Sequence, residues 1–503
     1  MTLSTDAIRQ LLPRAEFVGR WPAYLPPLKC DSRQITPGDA FAAVPGTQAD
    51  GHTFAGAAVQ SGAAVLLVQQ RLPQLPVPQL VVPNAAAAYA ILCTTQRLGR
   101  SLPTLAGVTG TNGKTTTTWM VQAILQSAAL TCGRMGTVDC DDGRQTSPSS
   151  LTTPAAAELA DWLHRLRGHG GTHAALEVSS HALHQHRCDG LHFAAAAITN
   201  ITRDHLDYHH HADAYHQAKA RIADLLYADA PLLLNRDDPG CRQIEPSVRQ
   251  RARVLTYGLE SADAELRGQL LSSGHRRQRV RFSLAQGDAE INLRLIGQHN
   301  ASNALAAAGM AEQLGIGLPH IVAGLESLRC VPGRLERIDA GQPFQVFVDY
   351  AHTPDALQHA IAAVRSCAPG RVICVFGAGG DRDRPKRRMM GRATEQADLT
   401  IVTSDNPRTE SPAGIIRDIV AGFTEQQNYQ PIVDREQAIR QALESAQPGD
   451  VVLVAGKGHE TTQEINGNTH RFDDREVTRR ILQDLNSQSA SDLHPVFTLP
   501  RSA

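Results

Sequence analysis

The chain has 503 residues, and 49 lysines and arginines nearly cancel 50 aspartates and glutamates to leave a formal charge of −1. That balance excludes bulk nucleic-acid binding, no run approaches the roughly 18 apolar residues of a membrane span, and the opening MTLSTDAIRQLLPRAEF lacks the basic-then-apolar pattern of a secretory signal. Nine scattered cysteines without a C-x-x-C pair argue against a zinc site or disulfide framework, so a cytoplasmic protein of about two to four domains is expected.

Residues 1–102 alternate short apolar strands, such as 63–68 and 80–82, with alanine-rich helices and proline-rich punctuation. This is the pattern of a small α/β domain. From 103 the alternation strengthens, with strands predicted at 105–108, 174–178 and 193–198 and helices at 155–166 and 212–226. Such a pattern builds a largely parallel sheet covered on both faces. The arginine-rich stretch 261–293 reads instead as an antiparallel insertion.

The strand at 105–108 runs into Gly110, Thr111, Asn112, Gly113 and Lys114, and a helix opens with Thr115 and Thr116. Glycines let the backbone curl so that its N–H groups face phosphate oxygens. The helix N-terminus adds free N–H groups and partial positive charge. Lys114 would then neutralise the β- and γ-phosphates and the Thr115 hydroxyl reach a magnesium ion, although Val108 replaces the first glycine of the strict G-x-x-x-x-G-K-[ST] spacing. The segment reads as a nucleotide-binding loop.

Glu177 sits near the end of the strand at 174–178, ahead of Ser179, Ser180 and His181. A carboxylate there can hold magnesium directly or through water; the alternative is a surface glutamate in a turn. The run TNITRDHLDY at 199–208 follows the next strand and offers His205, an unusual magnesium ligand whose plain reading is structural. Lys219 reads from its position as a solvated helix lysine, and the consecutive histidines 209–211 as exposed.

From 331 further strands are predicted at 345–348, 372–376, 399–403 and 451–454, each followed by a charged turn. The turns are DYAH from Asp349, GAGGDRD carrying Arg382, the tetrad Asp405, Asn406, Pro407 and Arg408, and GKGHE from Gly456 to Glu460. Open α/β sheets bind ligands beyond the carboxyl ends of their strands, so four charged turns on one rim mark a site. Arginines 382, 384, 387 and 388 with Lys386 form either a solvated face or a clamp for anionic groups. Asp405 to Arg408 offers both charges to a zwitterion, and Glu460 an anion for an ammonium. The polar stretch 487–503 reads as a flexible tail.

Taken in order, GTNGKTTT at 110–117, EVSSHAL-x-Q-x-R at 177–187, TNITRDHLDYH at 199–209, AYHQAKA at 214–220, GQHNASNALAA at 297–307, PGRLE at 332–336, DYAHTPDAL at 349–357 and GKGHE at 456–460 resemble the Mur ligase family over nearly the whole chain. The resemblance implies a three-domain α/β architecture. Residues 1–102 would bind a UDP-muramoyl substrate, 103–330 would form a central ATP-binding P-loop domain, and 331–486 a C-terminal Rossmann-like domain for the amino acid. It implies an ATP-dependent, amide-forming ligase of peptidoglycan precursor synthesis working through an acyl phosphate, with ATP and magnesium as cofactors and a monomeric chain. DSR at 31–33, GTQADGH at 46–52 and LTTP at 151–154 resemble the member that extends UDP-N-acetylmuramoyl-L-alanyl-D-glutamate.

By the same resemblance, Lys114, Glu177, His205 and Lys219 would be catalytic. Magnesium would lie at Thr115 and Glu177, and a second ion at His205 and a carbamylated Lys219. ATP would meet Gly110, Thr111, Asn112, Gly113, Lys114, Thr115, Thr116, Asn303, Arg334 and Asp349. The UDP-muramoyl dipeptide would meet Cys30, Ser32, Thr47, Gln48, Ala49, Thr152, Thr153, Ser179, Gln185 and Arg187. The amino acid would meet Arg382, Asp405, Asn406, Pro407, Arg408, Gly456 and Glu460. The DNPR tetrad resembles the version selecting meso-diaminopimelate, whose extra carboxylate Arg408 can pair. Lysine would leave that guanidinium unpaired at a cost of roughly 1–3 kcal/mol. Two departures stand out: Pro385 and Arg388 occupy positions where the family carries glycine and proline, and the tail beyond about 486 is longer than is usual in the family. The alternatives are the same reaction with L-lysine and, from another class, a P-loop nucleotide switch.

Overall fold

The structure, a computed structural model, describes residues 2–47, 49–99, 101–425 and 428–492. Three α/β sheets follow one another along the chain. In the first, strands run in the order Glu16–Val18, Gln79–Val81, Val65–Val68, Ala40–Ala42, Leu28–Lys29, all parallel except the outermost Glu16–Val18. Strand periodicity divides Val65–Val68 between two cores. Val65 and Leu67 pack with Ala85 and Ala88 of the helix Ala85–Leu98, while Leu66 and Val68 pack with Ala55 and Ala58 of the helix Ala55–Gln60.

The central sheet has eleven strands with Thr104–Thr109 in its middle, flanked in parallel by Ala195–Ile198 and His173–Glu177. The helix Lys114–Ser127 covers one face together with Gln298–Gln313, and Ala156–Gly168 covers the other. The insertion expected at 261–293 is three antiparallel strands, Leu266–Ser273, Gln278–Leu284 and Gly287–Leu293, extending one edge. Its first strand joins Arg253–Gly258 in parallel, so it prolongs the sheet rather than standing apart. The helix expected over 212–226 is α-helical through Ala220 and tightens into a 3₁₀ turn, Arg221–Leu225.

The third sheet orders its strands Glu336–Arg337, Gln345–Asp349, Val451–Ala455, Val372–Phe376, Leu399–Val402, Tyr429–Pro431, parallel except the first. The chain passes over Val451–Ala455 on its way from Gln345–Asp349 to Val372–Phe376. That makes a switch point, the place where open parallel sheets leave a crevice at their carboxyl ends. The last helix, Asp474–Asp492, runs six residues past 486, so the stretch 487–492 is helical, not the loose tail its polarity implied. Nothing in it breaks a helix before Pro495, and 493–503 lie outside the described residues. Among the described residues no helix is long and apolar enough to cross a membrane.

Candidate active site

Gly113 starts the helix Lys114–Ser127 at φ +85°, and a Cβ on it would collide with Oδ1 of Asn303, a close approach that only glycine permits. Lys114 Nζ donates to the carbonyls of Gly110 and Thr111, both at 2.9 Å, and burial lowers its pKa. Asn200, from the turn after Ala195–Ile198, braces the loop: its carbonyl accepts from Thr111 N–H at 2.9 Å and its Oδ1 from Asn112 N–H at 2.8 Å.

Glu177 ends His173–Glu177 with 1% of its surface exposed, which excludes the surface-turn reading. Its Oε2 accepts from the hydroxyls of Thr115 at 3.0 Å and Thr137 at 2.9 Å, and its Oε1 from Thr137 N–H at 2.8 Å. Arg334 reaches across from the start of the third sheet, donating through Nη2 to Thr115 Oγ1 at 3.0 Å while its guanidinium lies 4.5 Å from the Tyr350 ring centre. Asp349 is committed to backbone, accepting from Leu335 N–H at 2.6 Å and Ala351 N–H at 2.8 Å, and burial raises its pKa.

A carboxylate in contact with a hydroxyl beside a phosphate-type loop is an oxygen donor set that fits magnesium, which keeps waters and phosphates for its remaining positions. Among the described residues no cluster of three or more His, Cys, Asp or Glu could hold a metal unaided.

Lys219 is buried, not solvated. Its Nζ donates to the Gly110 carbonyl at 2.7 Å and lies 4.5 Å from the Tyr215 ring centre. Burial, reinforced by the Lys114 ammonium, holds its pKa well below the ordinary lysine value. His205 has a left-handed backbone, φ +52°, its Nε2 is 3.4 Å from Asp204 Oδ2, and its ring meets His181 edge-on at 4.7 Å. Burial lowers its pKa and favours the neutral, ligating form. As a free amine Lys219 is a donor and does not fit a metal; as a carbamate it would. His209 departs from the exposed reading of the histidine run: it is buried against Ser180, 3.1 Å from the hydroxyl, while His210 and His211 are exposed.

The loop residues Thr111 to Thr116, Glu177, His205, Asn303, Arg334 and Asp349 line one cavity of about 230 Å³ with Tyr350, His352 and His359. A neighbouring cavity of about 640 Å³ shares Asn200, His299 and His359 with it. A third, of about 950 Å³, opens between the first two sheets and is lined by Cys30, Thr47, Gln185 and Arg187 of the expected substrate groups.

The other expected substrate groups divide. Thr152 lines the first cavity, and Gln48 lies outside the described residues. Ala49 is exposed, and Ser32 opens the 3₁₀ turn Ser32–Gln34 away from the third cavity's lining. Thr153 is 1% exposed, and its hydroxyl donates to the Glu177 carbonyl at 2.7 Å and accepts from Ser179 N–H at 3.0 Å, which splints the backbone. Ser179 caps Ser180–His184 by accepting from Ala182 N–H at 3.2 Å.

On the third sheet, Asp405 to Arg408 and Gly456 to Glu460 meet. Asn406 Nδ2 donates to Glu460 Oε2 at 2.9 Å. The hairpin Thr462–Ile465 and Asn468–Arg471 holds the first turn, with Gln463 Nε2 on the Asp405 carbonyl at 2.6 Å and Arg408 N–H on the Glu464 carbonyl at 3.1 Å. Arg408 donates through Nη1 to the Gly380 carbonyl at 2.7 Å, and its Nε lies 3.4 Å from Glu464 Oε2. Arg382 is exposed, bonded only to the neighbouring Asp381 carbonyl at 3.0 Å among the described residues.

The basic run does not act as one clamp. Arg387 is buried, bonded to Glu410 at 2.6 and 2.9 Å and to Asp418 at 2.9 Å. Lys386 reaches Asp204, in the loop after the central strand Ala195–Ile198, at 3.4 Å, while Arg384 and Arg388 face outward. Pro385 is harmless where it stands, since it opens the helix Pro385–Arg392 at a position whose N–H has no helical partner.

Sequence reasoning put Tyr350 and His352 on a site turn without giving them a role, and missed Thr137, Asn200 and the tie from Asn112 Nδ2 to Asp355 Oδ2 at 2.8 Å. Asn200 and Asp355 lie within quoted motifs, where a polar residue beside the loop was the available signal; Thr137 lies in none.

Residues 27–96, 108–311 and 333–458 match, respectively, the family models described as Mur ligase family, catalytic domain; Mur ligase middle domain; and Mur ligase, glutamate ligase domain. The chain is 42% identical over 470 residues, 92% of its length and 94% of the relative's, to a UDP-N-acetylmuramoyl-L-alanyl-D-glutamate–2,6-diaminopimelate ligase of Gloeobacter violaceus. It is 41% identical over 500 residues, 96% of its length and 97% of the relative's, to a ligase of the same name from Chlorobium phaeobacteroides. A solved structure of a ligase of that name superposes with TM-score 0.69 at 33% identity, covering 97% of this chain and 100% of that one. A Mycobacterium tuberculosis folylpolyglutamate synthase complexed with ADP and AMPPCP shares the fold at TM-score 0.61 and 20% identity, covering 79% of this chain and 94% of that one.

Proposed function

The chain belongs to the Mur ligase family, and from that membership we propose that it joins meso-diaminopimelate to the D-glutamate γ-carboxylate of UDP-N-acetylmuramoyl-L-alanyl-D-glutamate at the expense of ATP. The observation that carries the reading is the contact of Arg334 with Thr115, which brings a guanidinium from the third sheet onto the hydroxyl that touches Glu177.

The chemistry demands such crowding of cations. A carboxylate oxygen must attack the γ-phosphorus of a triphosphate, releasing ADP and leaving an acyl phosphate. The amine then attacks the acyl carbon, loses a proton and expels phosphate. Each partner in the first step is anionic, so electrostatic stabilisation does most of the work. Lys114 and Arg334 would draw charge from the phosphoryl oxygens. Thr115 and Glu177 would hold magnesium, which would supply further positive charge. Thr137 and Thr115 hold Glu177 in place for that role. The reading also makes Lys219 a carbamate: burial pushes its amine toward the neutral form, which adds to carbon dioxide and releases a proton, and the product is an anionic oxygen donor near His205.

The cavity between the first two sheets would hold the UDP-muramoyl part, with Cys30, Thr47, Gln185 and Arg187 on its walls. Arg382, Arg408 and Glu460 would receive the distal carboxylate and ammonium of diaminopimelate. All three sets of groups belong to one chain, so a monomer in the cytoplasm suffices.

Phosphate release tests this with ATP, magnesium and the UDP-muramoyl dipeptide, adding meso-diaminopimelate or L-lysine in parallel. Release with diaminopimelate alone is expected. Release with lysine alone would overturn the reading of Arg408, and release independent of the dipeptide would replace the ligase by a nucleotide switch.

A further inference from the structure

Lys457, in the turn after Val451–Ala455, has a side chain with 0% exposure. A lysine just past a strand end ordinarily runs to solvent. Here Gly456 and Gly458, at φ +116° and +53°, fold it back beneath the turn, and a Cβ on Gly456 would sit 2.6 Å from Asp405 Oδ2. The ammonium lies 3.1 Å from Asn406 Oδ1 and 3.0 Å from Glu460 Oε2.

These contacts fix which way the Asn406 amide faces. Its oxygen accepts from Lys457 and also from Glu464 N–H at 3.0 Å, and an NH₂ group could accept from neither. The amide nitrogen is thereby turned onto Glu460 Oε2. Two donors converge on Oε2, and among the described residues Oε1 has none.

We propose that Lys457 is a positioning residue that sets specificity for the incoming amino acid, orienting Asn406 and Glu460 and cancelling the Glu460 charge. The proposal rests on the reaction inferred above. An uncompensated carboxylate in a half-buried turn would attract any primary ammonium, lysine's included. With Lys457 beside it the pair carries no net charge, so a bare ammonium at Oε1 leaves the turn positive. A zwitterionic centre brings its own carboxylate and leaves it neutral. The discrimination is repulsive, acting against the wrong ligand as much as for the right one.

The test is steady-state kinetics of the full chain carrying Lys457→Met, with ATP, magnesium and the UDP-muramoyl dipeptide. KM for meso-diaminopimelate should rise about tenfold or more, while KM for ATP and for the dipeptide stay within about twofold. The ratio of kcat/KM for diaminopimelate over L-lysine should fall about tenfold. In a Glu460→Gln background the same substitution should leave that ratio unmoved, because the residue acts through Glu460. Should Lys457→Met not fold, Lys457→Gln, which keeps an N–H donor without the charge, is read in the same way. A ratio unchanged by Lys457→Met, or all three KM values moving together, overturns the proposal alone. No turnover of either amino acid by the unaltered chain overturns the assigned reaction and this proposal with it.

Discussion

Arg435 and Asp474 form an ion pair in which neither side chain has exposed surface. Arg435 Nε and Nη2 donate to the two carboxylate oxygens at 2.8 and 2.7 Å, and Nη1 and Nη2 also reach the carbonyls of Ser404 at 3.1 Å and Ala455 at 2.9 Å. Asp474→Ala leaves a buried guanidinium with two neutral carbonyls as its partners. Breaking a buried pair from one side costs roughly 3–5 kcal/mol. At about 2–4 °C per kcal/mol for a domain of this size, the third sheet should melt about 6–20 °C lower. The tryptophans are Trp21, Trp119 and Trp162, all before residue 331, so their fluorescence reports the first two sheets. Far-UV circular dichroism should therefore show an early loss that tryptophan fluorescence lacks. Ser404 and Ala455 immediately precede Asp405 and Gly456, so KM for diaminopimelate should rise at temperatures where the variant is still folded. Replacing both partners by apolar residues, Arg435→Met with Asp474→Leu, should recover most of the loss. A melting shift below about 2 °C in Asp474→Ala would refute this account of the pair.

Glu410 accepts from Arg387, and chiefly for that reason its pKa is lowered to about 2. A depressed carboxylate adds stability above its unfolded pKa and loses it as pH falls through the folded value, so the melting gap between the unaltered chain and Glu410→Gln should be widest above about pH 4.5 and close toward about pH 2. A gap independent of pH would contradict the pairing. Gly380→Ala would drive a methyl into the Pro407 carbonyl, and displacing that turn should raise KM for the amino acid about tenfold or more while KM for ATP holds; equal changes in both would count against it. Equilibration with ¹³C-bicarbonate should give a carbamate resonance that Lys219→Met abolishes, and its absence from the unaltered chain would remove the carbamate.

The nucleotide loop was legible because its signal is local: a strand, two glycines and a lysine at fixed spacing. Thr137 was not, since its contact with Glu177 depends on how two distant strands align. Cys132–Met135 and His173–Glu177 pair in parallel with Met135 opposite Leu176, which carries the next residues, Gly136 and Thr137, past the Glu177 carboxylate. The basic run failed as a clamp for a related reason. A helix turns about 100° per residue, so Lys386, Arg387 and Arg388 point to Asp204, to Glu410 with Asp418, and to the Ala421 carbonyl. Consecutive like charges in a sequence say nothing about a shared face until the helix phase is known.

The same limit explains why Lys219 looked ordinary. Lys114 and Lys219 come from different elements and both donate to the Gly110 carbonyl, at 2.9 and 2.7 Å. Two ammoniums sharing one carbonyl in a buried site repel each other, and a carbonyl dipole cannot compensate both charges. Loss of one proton relieves the repulsion. Burial and the Lys114 charge lower the Lys219 pKa together, with Asp204 and Cys241 opposing them; burial also lowers that of Lys114, opposed by Glu177 and Asp204. Lys219 is the amine whose pKa is held well below the ordinary lysine value, while the Glu177 carboxylate favours the charged form of Lys114. The shift at Lys219 could not be read from its own helix, because the Lys114 charge that adds to burial comes from across the loop.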